Sequence, residues 1–186
     1  MKNKIIIIYK SSTGFTKKYA EMIAEEIGCT LADYKTAAVE TLSHYDTVVF
    51  GTRAHAGMID GYKKIKKMFQ KSAAGHFVLF VTGASPDTSE DTLNAFWSQN
   101  LSAEELEKIP HFYMPAGLCY EKMSFPDKLM MKTAAAFMKR SVKKKQEKTE
   151  MDLAVERMIS SSYDISDKTY INPLVSYLKT TAADHT

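Results

Sequence analysis

The 186-residue sequence has few of the residues that mark fibrous, disulfide-rich or disordered chains. It contains two cysteines, five prolines and eight glycines. A membrane-spanning helix needs about 20 consecutive apolar residues, and no apolar run in the sequence approaches that length. Cys29 and Cys119 lie far apart and lack CxxC spacing, which predicts neither a disulfide framework nor a zinc site. With 45% hydrophobic and 25% charged residues, the composition predicts a globular protein with one substantial core.

Sequence motifs for nucleotide, metal and hydrolytic chemistry are also missing. The chain has no Walker-type triphosphate loop, no glycine-rich dinucleotide fingerprint, no HExxH pair and no nucleophile elbow, and its five histidines are scattered. We therefore predict no metal site and name no catalytic residue. A receiver domain would need acidic residues where Tyr9–Ser11 and Phe50–Thr52 stand, and a cysteine phosphatase would need a cysteine in the first loop.

Positive charge is concentrated in one segment. The formal net charge is +3, but residues 139–148 hold six Lys or Arg against one Glu, so the rest of the chain is slightly acidic. This pattern predicts no nucleic-acid partner, and it allows a weak membrane-surface contact through one basic helix. Apolar Ile5–Ile8 is too short for the core of a signal peptide, which predicts a cytoplasmic location.

Strand-like and helix-like segments alternate along the chain, which predicts an α/β fold with a mainly parallel sheet and helices on both faces. The predicted strands are Ile5–Tyr9, Cys29–Tyr34, Thr47–Phe50, Phe77–Val81 and His111–Ala116. The predicted helices cover 15–27, 58–69 and 89–99, and a last one starts at Asn172 as its cap with Pro173 in its first position.

We predict a single domain over residues 1–186 with a helical insertion at about 118–170. No internal repeat or low-complexity linker divides the pattern. Within the insertion, an apolar stripe lies opposite the lysines of an amphipathic helix. The stripe consists of Met130, Ala134, Phe137, Met138 and Val142.

The loop after the first predicted strand has the features of a phosphate cradle. Ser11-Ser12-Thr13-Gly14-Phe15-Thr16 leaves a buried strand and opens a helix, so hydroxyls and free N–H groups gather at the positive end of the helix dipole. No lysine lies inside the loop, which suits one terminal phosphate monoester better than a triphosphate. The alternative is that these hydroxyls only cap the first helix.

This loop resembles the phosphate-binding loop of flavodoxins, with hydroxyl residues in the first, third and sixth positions and Gly14 in the fourth. The resemblance covers residues 1 to about 118 and 170–183. It implies a flavodoxin-like three-layer sandwich, with a five-stranded parallel sheet in the order 2-1-3-4-5 and helices on both faces. It further implies an electron-transferring flavoprotein that binds FMN noncovalently.

The resemblance also implies where the cofactor lies: the phosphate on the first loop, and the isoalloxazine ring between the loops after the third and fourth strands. In flavodoxins a peptide near the flavin N5 flips to accept the N–H of the reduced ring, and Gly57 is the candidate here. Arg53 or His55 is expected near N1 and O2 of the ring. The implied cofactor-binding residues are Ser11, Ser12, Thr13, Gly14, Phe15, Thr16, Thr52, Arg53, Ala54, His55, Ala56, Gly57, Thr82, Gly83, Ala84 and Ser85.

Two departures from electron-shuttling flavodoxins suggest an alternative. Neither flavin loop holds Trp or Tyr, and the usual acidic surface is missing. Residues Pro115 to Arg140 are similar to the segment after strand five in flavodoxin-like protoporphyrinogen dehydrogenases, which pass electrons to a quinone. That likeness implies that Leu118–Phe125 borders a large apolar substrate. The expected partner is therefore a redox protein or a small apolar substrate, and the oligomeric state stays open.

Overall fold

A computed structural model describes residues 3–144 and 161–183 of the chain. The described elements, labelled in chain order, are β1 (Ile5–Tyr9), α1 (Phe15–Ile27), β2 (Thr30–Asp33), α2 (Val39–Leu42), β3 (Thr47–His55), β4 (Met58–Ile59), α3 (Tyr62–Lys71), β5 (His76–Gly83), α4 (Glu90–Asn100), α5 (Ala103–Lys108), β6 (His111–Pro115), β7 (Gly117–Leu118), α6 (Phe125–Lys144), β8 (Tyr163–Asp164) and α7 (Asn172–Ala183). Short 3-10 turns cover Tyr34–Thr36, Tyr120–Lys122 and Lys168–Ile171.

The chain divides into two compact units. The first comprises residues 1–116 and 166–186, and the second comprises residues 117–165. The second unit corresponds closely to the predicted insertion at about 118–170. Whether the whole chain is one domain stays a prediction.

The first unit is an α/β structure built on a mostly parallel sheet. Its strands run in the order β2-β1-β3-β5-β6, and β4 pairs antiparallel with the end of β3. With β4 set aside, this is the predicted order 2-1-3-4-5, and the predicted flavodoxin-like fold is confirmed. The register pairs Tyr9 with Gly51 and Arg53 with Thr82, which places the carboxyl ends of β1, β3 and β5 side by side.

Both faces of the sheet are covered, because successive strand residues point to opposite sides and both sets are apolar. On one face, Ile7 and Phe80 pack in a core cluster with residues of α1 and α7. On the other face, Ile8 and Phe50 pack in a cluster with residues of α3 and α4. This explains why the strands appear in the sequence as continuous apolar runs rather than alternating ones.

Several boundaries differ from the sequence predictions, and three of the differences change the role of a residue. The strand predicted to end at Phe50 continues to His55, because it bends back through a two-residue turn and pairs with β4. Met58 therefore lies in β4, and the prediction that it begins a helix is wrong. Asn172 has helical dihedral angles and follows the Lys168–Ile171 turn directly, so it is not the predicted cap; instead, the Asp167 side chain accepts a hydrogen bond from the Thr169 N–H at the start of that turn.

In the second unit, β7 and β8 form a small antiparallel pair, and α6 is the predicted long helix. Of the predicted apolar stripe, Phe137 is 75% exposed, while the side chains of Ala134, Met138 and Val142 lie outside the described residues. So do the side chains of 143–148 in the predicted basic segment. In the described part of the chain, no helix combines the length and hydrophobicity needed to cross a membrane.

Glu105 joins α3 to α5 in the first unit. Its carboxylate accepts hydrogen bonds from the Tyr62 hydroxyl and the Lys66 ammonium, both at 2.5 Å, and from the Ser102 N–H at 2.8 Å. Partial burial acts to raise the pKa of Glu105, but these three donors outweigh it and hold the pKa at about 2. The same carboxylate, together with burial, raises the pKa of Tyr62.

We expect Glu105→Gln to lower the free energy of unfolding at neutral pH by about 1–2 kcal/mol, because the amide cannot accept all three bonds or pair with Lys66. The folded pKa lies below the ordinary 4.5, so the ionised group stabilises the fold fully above pH 4.5 and loses this contribution as the pH falls toward 2. Urea unfolding across that range measures the difference. Glu104→Gln is the matched control, since Glu104 is exposed and, within the described residues, forms its ion pair with Lys108 alone; equal losses for both variants would contradict the assignment.

Candidate functional site

Three predicted loops meet at the carboxyl edge of the sheet through a chain of threonines. The hydroxyls of Thr16 and Thr82 lie 2.8 Å apart, and the Thr82 hydroxyl also donates to the Thr52 carbonyl at 3.3 Å. All three threonines are buried, at 3% exposure or less. The start of α1 and the ends of β3 and β5 are thus held at one place, as expected for a ligand site at this edge of an open parallel sheet.

The first loop turns sharply before α1 because Gly14 adopts a left-handed conformation, with φ +103°. Its N–H donates to the Ser11 hydroxyl oxygen at 3.1 Å, and its carbonyl accepts from the Lys18 N–H. No side chain of residues 3–144 or 161–183 caps the start of the helix. The alternative that the loop hydroxyls merely cap α1 is therefore not what the structure shows.

The first N–H groups of α1 are available to a ligand. Among the residues that the structure describes, none accepts a hydrogen bond from the backbone N–H of Phe15, Thr16 or Lys17. The hydroxyls of Ser12 and Thr13, which are exposed and half-buried, likewise have no partner within the described ranges. The Thr16 hydroxyl is engaged with Thr82, so Thr16 offers only its N–H. The result is a set of uncharged donors at the positive end of a 13-residue helix.

The predicted third loop is a β-hairpin rather than an open loop. Gly51 to His55 belong to β3, and Ala56 and Gly57 form the turn to β4 with φ values of +50° and +77°. Both turn residues are exposed. Consecutive positive φ values are typical of the tight hairpin turns in which glycine is favoured.

Asn100, the last residue of α4, fastens this hairpin. Its side-chain amide donates to the Gly57 carbonyl at 2.9 Å and to the Phe96 carbonyl at 2.8 Å, while its oxygen accepts from the Ile59 N–H at 2.9 Å. A flip of the Gly57 peptide, implied by the family resemblance, must therefore break the bond to Asn100.

Asn100→Ala should lower the free energy of unfolding by about 1–2 kcal/mol and speed hydrogen exchange at the Ile59 amide, because that buried N–H loses its acceptor. Asn100→Asp keeps an acceptor for Ile59 but loses the donor to Gly57, so it should protect the Ile59 amide better than alanine does. Asn94→Ala, on an exposed part of the same helix, is the control. Unchanged exchange at Ile59 in Asn100→Ala would refute this role.

Arg53 is held by an acidic neighbour. Its Nε lies 3.4 Å from one oxygen of Asp60, and the Lys10 ammonium lies 2.5 Å from the other. Asp60 is half-buried, which acts to raise its pKa, yet Lys10 and then Arg53 more than offset this and lower the pKa. The Thr52 hydroxyl also donates a hydrogen bond to the backbone carbonyl of Asp60 at 2.6 Å. Two ion pairs to Asp60 thus connect Lys10, which follows β1, with Arg53 in the hairpin.

The fourth predicted loop begins later than expected, since Thr82 and Gly83 end β5 and the loop starts at Ala84. Ser85 is exposed, and its carbonyl accepts from the Tyr113 hydroxyl at 3.2 Å. A Cβ on Gly83 would lie 2.1 Å from that same hydroxyl oxygen. The loop itself contains no aromatic residue, but Tyr113 of β6 places an aromatic ring beside it.

Four residues that support this edge could not be identified from the sequence: Lys10, Asp60, Asn100 and Tyr113. Asp60 stands before Gly61, which marks a turn but says nothing of its two cationic partners. Asn100 lies at the end of a predicted helix, where an Asn is usually interpreted as a helix terminus. Their roles depend on contacts with residues 7 to 50 positions away.

Comparison with known proteins gives one family match. A family model described as Flavodoxin domain matches residues 6–151. No curated protein matches the chain. Among solved structures, the two-electron reduced flavodoxin of Megasphaera elsdenii is 13% identical, with 59% of this chain and 82% of that chain covered and a TM-score of 0.42. A flavodoxin, WrbA-like protein from Agrobacterium tumefaciens is 20% identical, covering 85% and 96% with a TM-score of 0.40. Oxidised Flavodoxin 2 from Bacillus cereus is 17% identical, covering 68% and 90% with a TM-score of 0.42. These scores are too low to carry an argument about function.

Proposed function

Because the chain belongs to the flavodoxin domain family, we propose that it binds FMN noncovalently and transfers electrons through the bound flavin. Membership of the family supports a flavoprotein with a redox role. The choice of FMN and the direct role in electron transfer are the proposal.

The proposal rests on the set of hydrogen-bond donors at the start of α1. A phosphate monoester is a dianion with three acceptor oxygens, and the N–H groups of Phe15, Thr16 and Lys17 point from a helix N-terminus with no protein acceptor among the described residues. The hydroxyls of Ser12 and Thr13 add donors of the same kind. The loop itself contains no cationic side chain. Uncharged donors of this kind suit a single phosphate better than a triphosphate.

The remaining predicted residues offer the rest of the cofactor a mostly uncharged edge, with Arg53 as a cation. Thr52 and Thr82 fix the spacing between β3 and β5, while Ala56, Gly57 and Ser85 are exposed near the ends of these strands. Bound FMN would supply the electron chemistry, and the protein would supply position and electrostatics. Asp60 holds Arg53 in place, so the guanidinium favours negative charge in its neighbourhood without being free to swing away.

Reconstitution followed by anaerobic reduction tests this function. The purified protein is incubated with FMN, passed through a desalting column and reduced stepwise by photoreduction under argon. The proposal predicts a yellow protein with about one FMN per chain and a flavin potential that differs from that of free FMN. A protein that emerges colourless, or flavin whose potential is unchanged, would contradict it.

A second candidate is an FMN oxidoreductase that oxidises protoporphyrinogen IX and reduces a quinone. The observation that favours it is the exposed apolar surface of the second unit, where Phe125 is 80%, Leu129 56% and Phe137 75% exposed. Such side chains suit contact with a large apolar molecule. Anaerobic assay of the FMN-loaded protein with protoporphyrinogen and a menaquinone analogue separates the candidates: turnover supports the enzyme, and its absence in a fully loaded sample supports the electron carrier.

A further inference from the structure

Helix α3 carries a dense face of lysines beside the candidate site. Five of its ten residues are Lys and none is acidic. Lys63, Lys64, Lys67 and Lys71 are exposed, and at 100° per residue they fall within an arc of about 100° on one side of the helix. We call these four residues the α3 lysine face. The opposite side of the helix is buried through Ile65 and its neighbours.

The charges of this face are not neutralised within the described chain. None of its four lysines forms an ion pair with a described residue. Of the acidic residues near α3, Glu105 binds Lys66 and Tyr62, and Asp60 binds Lys10 and Arg53. The concentration of charge is therefore presented to solvent.

Local physical chemistry disfavours this arrangement. Lys63 and Lys64 lie in the first turn of α3, where the helix dipole repels cations, and no acidic residue is there to compensate. Lys63 and Lys67, and Lys67 and Lys71, are like-charged pairs four residues apart, which destabilise a helix by a few tenths of a kcal/mol each. A charged helix face that lowers stability and forms no ion pair with a described residue has the properties of an interaction surface.

The α3 lysine face is continuous with the edge that holds the candidate flavin site. α3 begins only two residues after β4, the second strand of the hairpin. The ammonium groups of Lys64 and Lys10 lie 5.5 and 5.4 Å from the centre of the same Tyr34 ring, so one aromatic ring makes cation–π contacts with both. Lys10 immediately precedes the phosphate cradle. Cationic side chains thus extend from α3 to the rim of the site, where Lys10 is paired with Asp60.

We infer that the α3 lysine face is the docking surface for an acidic redox protein that exchanges electrons with the flavin. The inference rests on the proposed function, and it reverses the acidic surface expected of electron-shuttling flavodoxins. A protein partner fits better than a lipid surface because the exposed side of α3 offers charge and no apolar side chain to insert. It fits better than nucleic acid because the four charges form one compact patch of lysines, with no arginine or exposed aromatic residue on the helix to read a base or stack on it.

The test uses an acidic plant-type iron–sulfur ferredoxin as the probe and a basic c-type cytochrome as the opposite-charge control. Binding of the FMN-loaded protein is measured by NMR titration as salt falls from about 0.3 M to about 0.03 M. We expect ferredoxin affinity to rise at least about tenfold over that range, with shifts centred on α3, while cytochrome binding does not rise.

Two triple variants that change the net charge equally decide whether ferredoxin binding depends on the position of the lysines. Lys63→Gln/Lys64→Gln/Lys67→Gln should weaken ferredoxin binding about tenfold at low salt and leave the melting temperature unchanged or higher, because repulsion within α3 is relieved. Lys4→Gln/Lys168→Gln/Lys179→Gln, at exposed sites outside α3 in the same compact unit, should change binding less than about twofold.

Equal losses in the two triple variants, or tighter binding of the protein to duplex DNA or phosphatidylserine vesicles than to ferredoxin, would overturn the inference. FMN uptake is recorded on each sample by absorbance. Failure to take up FMN counts against the proposed function alone, because the ferredoxin titration can be read on the flavin-free protein as well.

Discussion

Gly14→Val should weaken FMN binding by at least about 100-fold, because the substitution removes the turn that aims the first N–H groups of α1 at one point. At φ +103°, a β-branched residue meets the backbone clash that excludes left-handed conformations, so the loop must rearrange. The donors of Phe15, Thr16 and Lys17 then no longer converge. Fluorescence titration of FMN, whose emission is quenched on binding to many flavoproteins, measures the loss.

Gly28→Val is the matched control, since Gly28 lies at the other end of the same helix and is also left-handed, with φ +69°. In the part of the chain that the structure describes, no atom lies within 4 Å of a Cβ at that position. We expect a loss of about 1–2 kcal/mol in unfolding free energy and no change in FMN affinity. If both variants lost FMN equally, the effect of Gly14→Val would be one of general stability and the cradle would not be the phosphate site.

Gly51→Ala should be the most destabilising single methyl addition among the residues discussed, at about 3 kcal/mol or more. A Cβ at Gly51 would lie 2.1, 2.4 and 2.8 Å from three atoms of the Phe80 ring. Phe80 is fully buried in the core cluster beneath α1, so the ring has no room to retreat. Gly51 thus lets β3 pass over Phe80 on its way from the core to the candidate site.

Gly75→Ala provides the comparison, because its nearest neighbour is the Asp46 carbonyl oxygen at 3.9 Å, an ordinary contact. That variant should be within about 1 kcal/mol of the parent. Combining Gly51→Ala with Phe80→Leu removes the clash, so the double variant should lose less stability than the two single losses added together. Urea unfolding measures all four variants, and strict additivity would contradict the assigned clash.

The parts of the fold that follow local rules could be predicted from the sequence. Ile5–Ile8 indicates a buried strand because it is a β-branched run with no polar residue, and residues 15–27 indicate a helix because their apolar positions recur at helical spacing. The sheet order follows from the alternation of such segments, once right-handed crossovers are assumed. The family resemblance, which rests on six residues after β1, agrees with the match over residues 6–151.

The parts that depend on distant contacts could not be predicted. Nothing local shows that β3 continues from Phe50 to His55, because Gly51 and Arg53 are poor strand signals and the extension is held by pairing with β5 and β4. The lysine face of α3 could not be predicted either, because it depends on which side of the helix packs on the sheet. The roles of Asn100 and Asp60 depend on partners that only folding brings near.

In the proposed function, uncharged donors at the start of α1 bind the phosphate of FMN. The most direct measurement compares the affinities of FMN and riboflavin, which differ only in that phosphate, for the same protein by isothermal titration calorimetry. The account predicts that FMN binds at least about 100-fold more tightly, and that inorganic phosphate competes with it. Equal affinities for the two flavins, or binding of neither, would contradict the claim.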